Sequence, residues 1–189
     1  MKIYLIRHGK TKGNLERRYI GSTDEPLCPQ GIEELLQKRT LKIYPASPEK
    51  LAVSPMLRCR QTAQLLFPGV EQAVIPDFRE TDFGRFENKN YLELSHDPAY
   101  QRWLDSNGTL PFPEGENHEA FCKRCAAAFQ SLLEQWQKDN VRTAAIVAHG
   151  GTIMAILSHR IPSDFYDWQV KNGDCICLTM DGDTIKAEK

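Results

Sequence analysis

No stretch of this 189-residue chain approaches the roughly 18 consecutive apolar residues that a membrane-spanning helix requires. It has no excess of either charge: 24 Lys and Arg against 25 Asp and Glu leave a net charge of −1. No global field therefore favours nucleic acid or an anionic membrane, and neither is expected as a partner. Selectivity for an anion has to come from a local cluster. The sequence has no glycine-rich Walker loop, and no set of aspartates looks built for magnesium, so neither a metal nor an organic cofactor is expected. Met1-Lys2 leads into only four apolar residues, short of the hydrophobic region of a secretory signal. With no export signal expected, the six cysteines read as free thiols in a reducing cytoplasm.

Two cysteine pairs need weighing against a zinc or redox role. Cys122-Lys123-Arg124-Cys125 falls in a helical pattern, where Cys125 continues the apolar face, and Cys175-Ile176-Cys177 alternates along a strand. Zinc sites usually combine two suitably spaced pairs or add histidines. Core packing is the better account, because a free cysteine behaves as a small hydrophobe.

What is present is an alternation of strand and helix. Lys2 to Ile6 reads as a short buried strand, and Leu51 to Val53, Ala73 to Ile75 and Ala144 to Ala148 as three further strands. A polar loop with Gly9, Gly13 and Gly21 follows the first. Helical spacing runs through Ile32, Leu35, Leu36 and on to Leu41–Ile43, then from Ser54-Pro55 to Phe67. It resumes from Phe121 to Trp136, at i+3 and i+4, and through Ile153, Ile156 and Leu157. Residues 78–116 are least regular, with short helical stretches at Tyr91–Leu94 and Ala99–Leu104. Cys175–Thr179 and Thr184–Lys186 suggest a last hairpin across Asp181-Gly182-Asp183. The expected fold is a three-layer α/β/α sandwich on a mainly parallel sheet, one domain over 1–189, with residues about 84–116 as a small cap.

Four polar clusters fall just beyond the four strands: Arg7-His8, Ser54 to Arg58, Glu80 and His149. Loops at the carboxyl edge of a parallel sheet converge on one site. Any one of these residues alone reads more simply as a turn or surface residue; their equivalent topological places carry the joint reading. Guanidinium groups, here Arg7 and Arg58, meet phosphate oxygens in a bidentate fork. A neutral imidazole can attack phosphorus and divide one displacement into two. A carboxyl held protonated can give the leaving oxygen its proton.

The octet Arg7-His8-Gly9-Lys10-Thr11-Lys12-Gly13-Asn14 resembles the signature of the histidine phosphatase superfamily, the phosphoglycerate-mutase-like fold. Arg18 to Leu27 resembles its substrate loop and Ser54 to Ala63 its second arginine motif. Glu80 with Phe83-Gly84-Arg85-Phe86-Glu87 resembles its acid segment, and Val147 to Gly151 its second histidine. The resemblance implies that His8 is the phosphorylated nucleophile and that Arg7, Arg58 and His149 bind the transferring phosphoryl group, with Asn14 adding a donor. It implies that Glu80 serves as acid and then base, and that Thr11, Gly21, Thr23, Glu87, Tyr91 and Gly150 lie on the phosphate or substrate side. Lys10 and the pair Glu116-Asn117 depart from the family pattern, which bears on substrate preference.

Mutase and phosphatase members share such a pocket. Residues 89–116 supply only Lys89 and Arg102, opposed by Asp97, Asp105, Glu114 and Glu116, which is poor provision for a second phosphate. Water is then the expected acceptor, a small phosphorylated metabolite the expected partner, and inorganic phosphate the product. The run Asp97 to Asp105 with Pro113-Glu114-Gly115-Glu116 resembles bacterial α-ribazole phosphatases of cobalamin assembly. Tyr91, Tyr100, Trp103 and Phe112 either stack on an aromatic base or cover the core. A phosphoglycerate mutase and a non-catalytic phosphoester-binding module are the alternatives.

Overall fold

The structure is a computed structural model that describes residues 1–181 and 184–188. Its strands are β1 (Lys2–Arg7), β2 (Lys50–Val53), β3 (Gln72–Val74), β4 (Thr143–Ala148), β5 (Cys175–Asp181) and β6 (Thr184–Glu188). They form one sheet in the order β3-β2-β4-β1-β5-β6. The first four strands are mutually parallel, and β5 and β6 extend the sheet antiparallel at one edge. The sheet is thus mixed, with the expected parallel part at its heart. Gly182 and Asp183 of the expected final turn lie outside the described residues.

The α-helices are α1 (Lys12–Leu15), α2 (Pro29–Thr40), α3 (Leu57–Leu66), α4 (Pro98–Asp105), α5 (His118–Lys138) and α6 (Gly150–Arg160). Ala144 to Ala148 are completely buried, which is why β4 can be central: a strand covered on both faces has to be apolar throughout. Successive side chains then divide between two layers. Ile3, Leu5, Ala144, Ile146 and Ala148 pack with residues of α5 and α6. Ile6, Val53, Ala145 and Val147 pack with residues of α2 and α3. This is the three-layer arrangement.

Three local expectations are corrected. The loop after β1 contains the single-turn α1, started by Thr11, whose hydroxyl accepts from Asn14 N. Leu41–Ile43 lies beyond α2, because Leu41 caps the helix and Lys42 takes φ +57°. Residues 91–96 are consecutive turns, not a short helix; the Asn90 carboxamide oxygen accepts from Leu92 N and Glu93 N, which tightens the chain there.

The cap has its own apolar cluster of Phe86, Leu94, Tyr100 and Phe112, with Tyr19, Phe83 and Trp103 packed against it. Its ends are stapled together by Arg85 N to Pro113 O at 2.8 Å and Glu116 N to Asp82 O at 2.9 Å. Gly84 sits there at φ +51°, and a Cβ on it would come within 2.2 Å of Pro113 O, so this crossing excludes any side chain.

Candidate active site

Register brings the two histidines together. In the parallel β1/β4 pair Arg7 lies opposite Ala148, so His8 and His149 leave the sheet side by side. His8 N donates to Ala148 O at 3.0 Å, and the two rings meet edge to face with centroids 5.1 Å apart. On the other side of β4, Ser54 N donates to Val147 O, placing the Ser54 hydroxyl 2.7 Å from His149 Nε2.

Hydrogen bonds fix the ring tautomers. His8 Nδ1 is 2.7 Å from Gly9 O; a carbonyl only accepts, so Nδ1 carries the proton and Nε2 keeps a lone pair. His8 is 4 % exposed, and burial, then Arg58 and Arg7, hold its pKa well below 6.5. His149 is fully buried, and burial and the same arginines hold it neutral as well. Arg58 Nε donates to His149 Nδ1 at 3.3 Å, so the ring proton sits on Nε2 and is given to Ser54 Oγ. Both nitrogens of His149 are therefore engaged, and its immediate work is to orient Arg58.

Arg58, in the first turn of α3, has no exposed surface. Its Nη1 donates to Thr23 O at 2.8 Å and its Nη2 to Gly21 O at 3.0 Å, which draws the 20–23 loop over the histidines. Glu87 holds the same loop from the cap: its Oε1 accepts from Gly21 N at 2.8 Å and Thr23 N at 2.9 Å. Arg7 Nη1 donates to Val170 O, while its Nε is buried without a protein partner. Such an orphaned donor is costly, on the order of 1–3 kcal/mol, unless an anion meets it.

Glu80 follows β3 through the single 3-10 turn Pro76–Phe78. Its carboxylate accepts from Thr81 N at 3.0 Å and from Gly151 N, in the first turn of α6, at 3.1 Å. Burial raises its pKa above the ordinary 4.5, against those two donors and the two arginines.

Arg7, Glu80 and Gly150 line a cleft of about 540 Å³ whose other walls include Tyr19, Phe83, Trp103, Phe112, Phe121, Phe165 and Tyr166. His8, Arg58 and His149 are buried and lie outside its wall. The structure brings Arg7, His8, Arg58, Glu80 and His149 into one charge-coupled group. The residues expected on the substrate side occupy several different places. Thr11 is a fully buried helix cap, Asn14 Oδ1 accepts from Thr11 N and Asn172 Nδ2, and Gly21, Thr23 and Glu87 make the braced loop. Tyr91 is 48 % exposed and outside the cleft wall, because the turns at 91–96 direct Leu94 inward instead. Lys10 is ion-paired to Glu34 at 2.7 Å and Glu116 to Arg124, so neither departure faces the cleft.

Sequence reasoning placed Ser54 and Thr62 in the second arginine motif without giving them a role, and missed Asn172, Arg124 and the segment Phe165–Lys171. Thr62 Oγ1 accepts from Gly9 N at 3.0 Å, and Asn172 Nδ2 donates to His8 O at 3.1 Å, bracing the nucleophile's backbone. The signal for the last segment was an aromatic run, Phe165-Tyr166-Asp167-Trp168, in an irregular stretch. Among the described residues no group of three or more His, Cys, Asp and Glu is placed to hold a metal ion, and no helix is long and apolar enough to cross a membrane.

A model of the histidine phosphatase superfamily (branch 1) matches residues 3–189. An adenosylcobalamin/alpha-ribazole phosphatase of Salmonella typhimurium is 30% identical over 163 residues, covering 84% of this chain and 78% of that protein. A Klebsiella pneumoniae protein named Probable phosphoglycerate mutase GpmB is 34% identical over 142 residues, 71% of this chain and 64% of that protein. The crystal structure of the alpha-ribazole phosphatase of Shigella flexneri shares the fold, with a TM-score of 0.86, 24% identity, and coverage of 100% of this chain and 95% of that one.

Proposed function

The chain belongs to the histidine phosphatase superfamily, branch 1, and we propose that it hydrolyses a small phosphomonoester through a phosphohistidine on His8. Arg7 and Arg58 hold the non-bridging oxygens, with His149 orienting Arg58. His8 Nε2 attacks phosphorus, the ester P–O bond breaks, and the Glu80 carboxyl gives its proton to the leaving oxygen. The Glu80 carboxylate then takes a proton from water, whose oxygen attacks phosphorus. The N–P bond breaks, and inorganic phosphate leaves neutral His8 and protonated Glu80 behind. The observation that carries this reading is the His8 tautomer: its Nδ1–H is tied to Gly9 O, which leaves Nε2 as the lone pair available for attack.

The cleft supports a substrate with a flat apolar group beyond its phosphate. Its aromatic walls offer stacking surfaces, and Arg7 and Lys171 are the Arg and Lys side chains lining it. That favours α-ribazole 5′-phosphate, a nucleotide with an apolar base, and a place in cobalamin assembly, over a mutase that has to grip a second anionic group.

The test is phosphate release from α-ribazole 5′-phosphate, 3-phosphoglycerate, nucleotides, sugar phosphates and p-nitrophenyl phosphate, with His8→Ala as control. Preference for α-ribazole 5′-phosphate and complete loss in His8→Ala are expected. Release that persists in His8→Ala rules out the nucleophile, and label exchange within phosphoglycerate without free phosphate restores the mutase.

A further inference from the structure

We propose that Arg124 is the positioning residue of the general acid: its guanidinium, locked by Glu116, fixes the backbone of Asp77 to Glu80 and with it the reach of the Glu80 carboxyl. This rests on the assignment of Glu80 as acid.

The segment that carries Glu80 has left the sheet. β3 ends at Val74 and a single 3-10 turn follows, so no strand ladder holds the backbone from Asp77 onward. Its carbonyls are collected by side chains instead. Arg124 Nη1 donates to Asp77 O at 2.6 Å and Arg79 O at 2.9 Å, and its Nη2 donates to Glu80 O at 3.1 Å. Thr152 Oγ1 takes the remaining carbonyl, Phe78 O, at 3.2 Å. Four successive carbonyls thus end on two helices, α5 and α6.

The other edge of the guanidinium is closed by Glu116. Nε and Nη2 donate to its two oxygens at 2.7 and 2.8 Å, a bidentate pair with both side chains largely buried. The five N–H bonds of a guanidinium are then all assigned, three to backbone carbonyls and two to Glu116. A lysine has three donors on a single nitrogen and cannot span this set. Arg124 Cζ also lies 4.9 Å from the ring centre of Phe121, a residue of the cleft wall. Arg124 touches the main chain of Glu80, not its carboxyl, so its influence passes through the position of the acid. The residue lies inside the cysteine pair Cys122–Cys125, whose thiols packing and burial keep protonated, Cys125 being pushed up to about 12.

Misplacing an acid by about an ångström costs up to ~100-fold in turnover, and it does so only where the leaving oxygen needs the proton. The experiment compares kcat/KM of Arg124→Lys, Glu116→Gln and Glu80→Gln on an alkyl phosphate and on p-nitrophenyl phosphate, whose phenolate departs unprotonated; kcat/KM ends at phosphoryl transfer to His8 and so excludes the shared hydrolysis, in which Glu80 acts as base. Arg124→Lys is expected to lose roughly 10- to 100-fold in kcat/KM on the alkyl ester, with kcat/KM on p-nitrophenyl phosphate nearly spared. Added to Glu80→Gln it is expected to cost nothing more. Equal losses on both substrates, or a further loss in the Glu80→Gln background, overturn the proposal. If Arg124→Lys does not fold, the near-isosteric Glu116→Gln decides by the same criterion. If Glu80→Gln itself shows no leaving-group dependence, the acid assignment fails first and this inference falls with it.

Discussion

Adding one methyl group at Gly151 separates the chemistry of Glu80 from the stability of the fold. Gly151 is the second residue of α6, and a Cβ there would stand 2.3 Å from Glu80 Oε1, 3.1 Å from its Cδ and 3.2 Å from Phe121 Cζ. A carbon and an oxygen settle at about 3.3 Å, so the carboxyl has to retreat by about 1 Å. It can do so, being the end of a flexible side chain, but it then gives up the 3.1 Å bond from Gly151 N. A shift of about 1 Å away from the leaving oxygen costs ~100-fold, about 2.7 kcal/mol in the barrier. Complete loss of the acid sets the ceiling near 10⁴-fold. Stability moves little: alanine in a helix gains ~0.5–1 kcal/mol over glycine, while the lost hydrogen bond gives back a similar amount. Values of kcat/KM on an alkyl phosphate and on p-nitrophenyl phosphate, which end at phosphoryl transfer to His8, with thermal unfolding of the same samples, measure both sides. The expected Gly151→Ala enzyme is ~100-fold lower in kcat/KM on the alkyl ester and less than ~10-fold lower on the nitrophenyl ester, with Tm within about 4 °C of the parent. Unchanged turnover of the alkyl ester would mean that a displaced carboxyl costs nothing, and Glu80 would not be the acid.

Stability should fall as pH drops from 7 to 5.5. His8 and His149 are held well below 6.5 in the fold, so only the unfolded chain takes up those protons as pH falls through 6.5, and folding loses free energy. Glu80, raised above 4.5, acts in the opposite sense, adding stability as pH falls through its folded value. Two histidines outweigh one carboxyl, and a urea midpoint that stays flat from pH 7 to 5.5 would contradict this. Trp103→Ala should raise KM for base-bearing phosphates by up to ~10-fold, or about 1.4 kcal/mol, the upper end of a stacking contact. It should leave KM for 3-phosphoglycerate unchanged, and equal effects on both would place the base elsewhere. Dialysis against a chelator should leave turnover intact; activity lost there and restored by a divalent ion would require a metal in the mechanism.

The strands and the residues behind them were legible because burial imposes composition. A strand covered on both faces has to read like Ala144 to Ala148, and the polar residue that ends it has to emerge at the sheet's edge. That logic picked out His8 and His149, while Arg58 and Glu80, set back in α3 and beyond a 3-10 turn, were legible from the clusters that follow their strands. Local chemistry was legible too: Pro29 at the start of α2 and the long apolar face of α5 depend only on neighbours in the chain. The turns at 91–96 were not, because Asn90 accepting from Leu92 N and Glu93 N competes with helix on nearly equal terms.

Period and polarity are local properties, and they were enough to specify the elements, their alternation and the residue types delivered to one edge of the sheet. What those residues are free to do depends on contacts made across the fold. The β1/β4 register sets the histidine rings 5.1 Å apart, and a carbonyl of the adjacent glycine selects the His8 tautomer. Glu87 braces the loop over the site through Oε1 alone, and Arg124, passed over between two cysteines, gathers the carbonyls beneath Glu80. Hydrogen-bond partners that lie 44 to 66 residues apart in the chain leave no periodic trace in it, because only folding brings their donors and acceptors within reach.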